Sequence, residues 1–320
     1  MLRTLLVSAL AVCLSFCLVA GCSKRDEHNA AALQLNWKAE PQFGGFYAAI
    51  EKAKEKGITL DVRAGGASAP TIELLGAGKV PFAIVSADEI PRAREQGIHV
   101  VALFATYQTH PQGLLTQSKR RLKSIDDVFK STGTLAIEAG LPYSDFLKKK
   151  YGFNDLKIVP SPGGDLSLLR TNDTYAMQCF VTSEPLAAKK AGIDVTVFPI
   201  ADSGYNPYAT VLATTDEYRA AHPDQVAAIT AAVKAGWEAY LKDPTATNAQ
   251  MHALNPTMDE ATFTESAAAQ KPLIEGGDAS TLGAGAMTLA RWTTLVDQLR
   301  ELGVIKGDVK SGDCFAGRDK

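Results

Sequence analysis

Trp37, Tyr47, Tyr143 and Tyr205 carry aromatic faces, and Asp88 and Glu184 carry carboxylates, at positions that lie at or just beyond the ends of short apolar runs. Side chains of these two kinds, brought together, sandwich a flat nitrogen-bearing ring: the aromatic faces supply buried area and the carboxylates accept hydrogen bonds from ring amines. Further polar or aromatic groups stand in the same kind of place. Asn36 precedes Trp37, Phe46 precedes Tyr47, Ser86 precedes Asp88 and Glu89, and Gln108, Glu138 and Asn206 occupy other segment ends. Any one aromatic taken alone is most simply a packing residue; the expectation of a site rests on their joint placement. In Gly65-Gly66-Ala67-Ser68-Ala69-Pro70-Thr71 a small, glycine-containing turn runs into a helix start, where free backbone N–H groups suit an anion or a carbonyl oxygen. Ser68 serves equally well there as a plain helix cap.

Other chemistries find no support in the residue pattern. His28, His99, His110, His222 and His252 are scattered without metal-ligand spacing, so neither a metal nor another cofactor is expected. Lys and Arg number 33 against 35 Asp and Glu, and the basic cluster Lys119, Arg120, Arg121 and Lys123 reads as a solvated connector. Nucleic acid is therefore not an expected partner.

The elements that position the site follow from periodicity. Leu33, Leu35 and Trp37 alternate as in a strand, and Phe46 to Lys56 reads as a helix stopped by Gly57. Strands at Ile58 to Val62, Phe82 to Val85 and Val100 to Phe104 alternate with helices from Thr71 to Ala77 and from Glu89 to Gln96. The alternation restarts beyond a connector near Pro111, with strands at Thr134 to Ile137, Lys157 to Val159, Met177 to Phe180 and Val195 to Phe198. Beyond Tyr208 the chain reads as predominantly helical, with Val226, Ile229, Val233, Trp237 and Tyr240 on one core face and a last helix through Trp292 to Leu302. This order predicts an α/β fold of two lobes, each a mostly parallel sheet flanked by helices, with a ligand cleft at the carboxyl ends of the strands.

The N-terminus carries a separate signal. Arg3 precedes an apolar run from Leu5 to Val19 that is too short to span a bilayer and is followed at once by charge, the pattern of a signal peptide. Leu18-Val19-Ala20-Gly21-Cys22 resembles a bacterial lipobox, in which Cys22 is acylated and becomes the new N-terminus, so the lipid bilayer is an expected partner. Cys13 and Cys17 leave with the signal, and Cys179 and Cys314 either form a single bridge or remain as thiols. The expected divisions are residues 1–21 signal peptide, 22–32 tether, 33–108 first lobe, 109–203 second lobe, and 204–320 a return to the first lobe with C-terminal helices.

Leu35-Asn36-Trp37, Gly45-Phe46-Tyr47-Ala48-Ala49, the stretch from Gly76 to Asp88 and the helix from Trp237 to Pro244 together resemble bacterial solute-binding proteins of the thiamine-pyrimidine-precursor and sulfonate type, related to the fungal pyrimidine synthase. The resemblance covers nearly all of the chain beyond the signal. It implies a periplasmic-binding-protein fold of type II, with crossovers near Thr106 to Pro111 and Ala201 to Tyr208 and a cleft that closes by hinge motion. It also implies an extracytoplasmic receptor that hands a small ligand to the membrane permease of an ABC importer. Where the fungal relatives carry a cysteine-rich run this chain has Tyr205 to Thr210, "YNPYAT", so the resemblance does not carry the synthase activity over. The acidic and aromatic strand ends favour an amino-pyrimidine, with sulfonates and flavins as alternatives.

Overall fold

The computed structural model describes residues 29–317 except 67, 68, 139 and 154. The signal peptide, Cys22 and Ser68 lie outside the described residues.

In the first sheet, β1 (Ala30–Gln34) lies between β2 (Thr59–Arg63) and β3 (Phe82–Val85), parallel to both. Parallel neighbours need crossover helices, here α1 (Gly44–Lys54) between β1 and β2 and α2 (Thr71–Gly76) between β2 and β3. β3 is buried along its whole length, as its unbroken run Phe82-Ala83-Ile84-Val85 requires of a strand covered on both faces. α3 (Glu89–Glu95) then leads to β4 (Val100–Tyr107), after which the chain crosses into the second sheet at β5 (Gln112–Gln117). There α4 (Ile125–Lys130), β6 (Gly133–Ala136), α5 (Pro142–Tyr151), β7 (Leu156–Val159), α6 (Ser167–Thr171), β8 (Tyr175–Phe180), α7 (Glu184–Lys190) and β9 (Val195–Pro199) repeat the alternation. A second crossover returns the chain to the first sheet as β10 (Ala209–Thr215).

The two sheets share one plan. Their orders are β2-β1-β3-β10-β4 and β7-β6-β8-β5-β9. In each, the strand that enters straight from a crossover, β10 or β5, inserts antiparallel between two others. The class is the α/β, two-lobed, mostly parallel one expected. The reversed strands were not: β10 falls where the chain was expected to turn helical, and the strand-like stretch just past the connector near Pro111, β5, runs against its neighbours.

Six helices follow: α8 (Asp216–Ala221), α9 (Pro223–Lys242), α10 (Thr245–Leu254), α11 (Glu260–Glu275), α12 (Ala279–Leu282) and α13 (Leu289–Glu301). Pro223 opens α9 at a position where its missing N–H costs nothing, and Asp259 and Thr288 cap α11 and α13. α9 packs on α1 so closely that a Cβ on Gly45 would stand 2.1 Å from the Trp237 ring, and one on Gly236 2.3 Å from the Gly45 carbonyl oxygen. Trp237 and Tyr240 are core residues, as their helical spacing predicts. Cys179 and Cys314 are both buried and free, which excludes the bridge.

Candidate functional site

The carboxyl ends of β3, β6 and β8 and the two crossovers converge between the sheets. At the end of β3, Asp88 is buried and accepts a hydrogen bond from the Tyr205 hydroxyl of the second crossover at 2.9 Å. His110, in the first crossover, lies edge-on to Tyr205 at 6.2 Å between ring centroids and tilted against Tyr143 at 6.1 Å. The Tyr143 hydroxyl donates to Gln178 Oε1 at 2.7 Å, and the same oxygen accepts from the Glu138 amide at 2.6 Å. The Asn206 side chain ties the crossovers together by accepting from the His110 amide at 2.8 Å. Across the cleft, Tyr107 at the end of β4 meets Phe180 at the end of β8 edge-on at 5.6 Å.

A second group of acidic residues borders the first. Glu40 follows Trp37 and accepts from the Gln42 side chain at 2.8 Å. Glu184, at the start of α7, accepts from the Phe180 amide at 2.8 Å. These carboxylates belong to different lobes and are close enough for Glu40 to act on Glu184 electrostatically. Glu89 accepts from the Ser86 amide at 2.7 Å.

Burial dominates the protonation of every one of these groups. It pushes Asp88, Glu40 and Glu184 above the ordinary carboxylate range, and Glu89 up to about 7. Neighbouring charge adds to the rise for Glu89, from Asp88 and Glu73, and for Glu184, from Glu40. Hydrogen bonds from Gln42, Trp37 and Asn255 and the charge of Lys38 bring Glu40 partly back down; Tyr205 and Arg92 do the same for Asp88. Burial also raises the Tyr143 and Tyr205 phenols and, with Arg291 opposing a second charge, lowers His110 to about 4, so its imidazole is neutral at ordinary pH. The arrangement can accept hydrogen bonds and enclose an aromatic ring. Burial and the nearby Glu184 carboxylate push the Cys179 thiol well above its ordinary range, which leaves it a poor nucleophile.

Of the residues expected at the site, the structure brings Asp88, Tyr143, Tyr205 and Glu138 into one connected group with Asn206, and sets Glu184 beside it. Trp37 is partly buried under the Lys38 ammonium at 5.8 Å from the ring centre, with Asn36 its partly buried neighbour, and Ser86 takes part through its backbone. Phe46 is not brought there: it is fully buried edge-on against Trp237 at 5.7 Å in the first lobe's core. Tyr47 is buried in that same core, its hydroxyl without a hydrogen-bond partner. Gln108 is buried, and its amide nitrogen donates to the Ala105 and Ala286 carbonyls at 3.1 Å each, a strut of the first crossover. Glu40, Gln178 and Arg92 were missed, and His110 was read only as one scattered histidine. A carboxylate three residues after Trp37 and a lone glutamine inside the apolar run from Met177 to Phe180 were the available signals for the first two.

Cavities of about 410 Å³ and 190 Å³ open elsewhere, around Lys119 at the end of β5 away from the cleft. The cations there are already engaged: Lys119 pairs with Asp173, and Arg120 donates to Thr116, Ser131 and Thr132. Among the described residues no cluster of three or more His, Cys, Asp or Glu side chains could hold a metal ion, and no helix is long and apolar enough to cross a membrane.

Two lobes joined by two crossovers, with polar residues gathered at the strand ends between them, define a periplasmic-binding-protein type of fold. The chain belongs to the NMT1/THI5 like family, whose model matches residues 40–247. It superposes on the periplasmic aliphatic sulphonate binding protein SsuA of Escherichia coli with a TM-score of 0.66 at 11% identity, over 89% of this chain and 91% of that one. A ligand-binding component of an ABC-type import system from Staphylococcus aureus gives 0.66 at 11%, over 90% and 97%. A Candida albicans protein described as having the generic periplasmic binding protein fold gives 0.58 at 14%, over 89% and 95%. No curated protein matches the chain.

Proposed function

We propose that this chain is the solute receptor of an ABC importer, held outside the cytoplasm by an acylated Cys22, and that its cleft takes a small heteroaromatic ligand bearing N–H donors, of the amino-pyrimidine kind found in thiamine precursors. The observation that carries the ligand class is the concentration of carboxyl groups at the cleft. Asp88, Glu89, Glu40 and Glu184 all present acceptors there, beside Trp37, Tyr143 and Tyr205, and the cations that act on them are Lys38 and Arg92. An exocyclic amine or a protonated ring nitrogen satisfies such acceptors; a sulfonate brings three more acceptor oxygens to a site already rich in them. The sulfonate reading draws on the E. coli SsuA superposition and would seat the anion on Arg92, whose charge also acts on Asp88 and Glu89.

The test is a thermal-shift series on residues 22–320 with 4-amino-5-hydroxymethyl-2-methylpyrimidine, a flavin and an alkanesulfonate in parallel. At about 100 times Kd a ligand adds about 2.7 kcal/mol, enough for a shift of several degrees. A shift with the amino-pyrimidine alone supports the reading, and a shift with the sulfonate alone replaces it. For the anchor, Cys22→Ser in the full chain is expected to abolish acylation and membrane fractionation; a lipidated variant of processed size would refute the assignment.

A further inference from the structure

Lys190, the last residue of α7 in the second lobe, reaches across to the first turn of α11. Its ammonium lies 3.1 Å from Asp259 Oδ1, 2.8 Å from the Thr262 hydroxyl and 3.8 Å from Glu265 Oε1. α11 is built into the first lobe: Phe263, Ala267 and Ile274 share a core with Phe46 and Trp237, and Gln270 bonds both the Tyr107 hydroxyl, at 2.6 Å, and the Pro41 carbonyl, at 3.0 Å. Among the described residues, the ion pairs that join the two lobes all involve Lys190.

The receiving end is preorganised. Asp259 caps α11 by accepting from the Thr262 amide at 2.9 Å and the Thr262 hydroxyl at 2.6 Å, so its carboxylate is fixed whether or not Lys190 is present. The far end of α11 is fixed at the first crossover, where the Leu273 carbonyl accepts from the amides of Gln108 at 2.8 Å and Thr109 at 3.1 Å. Asp259 therefore lies about 20 Å along the helix from the crossover, at 1.5 Å per residue. An opening of about 10° about the crossover moves that end by about 3–4 Å, which breaks every bond Lys190 makes while leaving contacts at the crossover nearly unchanged.

We propose that Lys190 is an interlobe latch, and that its docking on the Asp259 end of α11 raises the share of molecules in which the lobes are closed. The proposal rests on the reading that the cleft opens and closes about the crossovers, and it does not depend on which ligand the cleft takes. Side-chain exposures of 31% for Lys190, 63% for Asp259 and 47% for Glu265 place the latch at the surface, where such a pair changes an equilibrium by about two- to five-fold and is screened by salt. That size suits a receptor that must also reopen.

The experiment is single-molecule energy transfer on residues 22–320 carrying Cys22→Ser, between dyes on Lys56→Cys and Lys157→Cys, exposed positions in the first and second lobes, with the buried Cys179 and Cys314 left in place. It is run on the ligand-free protein at about 0.05 M and 1 M salt. The closed-to-open ratio is expected to fall about two- to five-fold in Lys190→Ala, further in Lys190→Glu, and in the parent at high salt, with Lys190→Ala less sensitive to salt than the parent. Superposable distributions for the parent, Lys190→Ala and Lys190→Glu overturn the latch. A single distribution in every protein that no candidate ligand moves overturns the opening itself, and with it the receptor reading; ligand-free distributions that superpose in every protein while a ligand moves them overturn the latch alone.

Discussion

The Tyr205 hydroxyl donates to the Asp88 carboxyl at 2.9 Å, so the second crossover is fastened to the end of β3 by a bond between two buried side chains. That bond offsets part of the cost of burying the Asp88 carboxylate. Tyr205→Phe keeps the ring and its packing against His110 and Phe146 but leaves the carboxyl without this donor. A loss of about 1–3 kcal/mol in urea unfolding is expected, the cost of an unsatisfied buried polar group, whereas a loss below about 0.5 kcal/mol would mean that Asp88 finds another partner.

Glu89 and His110 make opposite contributions to the pH dependence of stability. Glu89 keeps its proton to about pH 7 when folded and only to its ordinary value of 4.5 when unfolded, so between these values the folded chain binds more protons and stability falls as pH rises. His110 loses its proton near 4 when folded and at 6.5 when unfolded; across that window the unfolded chain binds more protons and stability rises with pH. The windows overlap, so each contribution is visible only against the parent. Glu89→Gln is expected to gain stability relative to the parent between pH 5 and 7.5, by up to about 3 kcal/mol, and His110→Gln to lose it as pH rises from 4 to 6.5. Denaturant midpoints at several pH values provide the check, and parallel profiles for parent and variants would show that neither group titrates as described.

Two of the tryptophans separate site from core. Trp37 lies partly exposed beyond β1 beside Glu40, and Trp37→Ala is expected to weaken ligand binding by about 1–3 kcal/mol with the fold intact. Trp237 is fully buried between Phe46 and Tyr240, so Trp237→Ala is expected to cost about 3–5 kcal/mol of stability and to leave the affinity of the remaining folded protein little changed. Calorimetric titration alongside urea unfolding distinguishes them, and equal losses of affinity in both variants would remove Trp37 from the site.

How far this was legible in the sequence depended on whether a residue's environment is local. The run Phe82 to Val85 declares a strand buried on both faces, and Pro223 with the spacing from Val226 to Tyr240 declares a helix and its core side. β10 was hidden because its burial comes from inserting between β3 and β4, strands more than 100 residues earlier, and Ala209–Thr215 has neither alternation nor a hairpin partner nearby. The same limit governs the site. The stretch Gly45-Phe46-Tyr47 looks like a ligand motif but is a helix contact, its glycine leaving room for Trp237. Glu40 and Glu184 are 144 residues apart in the chain and meet only because the lobes face each other, which no local pattern records.

The receptor and enzyme readings part on what happens to a bound molecule. A receptor needs only differential affinity for the closed arrangement, and the groups at the cleft suit that: the His110 imidazole is neutral, the tyrosines stay protonated, and the carboxyls hold their protons more tightly than usual. Covalent chemistry would need an activated nucleophile. Cys179, the nearest thiol, is buried, accepts the Gly113 amide and has its ionisation opposed by burial and by Glu184. A ligand identified by thermal shift, incubated with an equimolar amount of protein for hours and recovered by denaturation, is therefore expected to return with unchanged mass, and the protein with no adduct. An altered ligand mass would restore the enzyme reading. If Cys179→Ser then abolished the alteration, the thiol would be its agent; if instead Glu184→Gln abolished it and Cys179→Ser did not, the reaction would be proton transfer at the acidic side of the cleft.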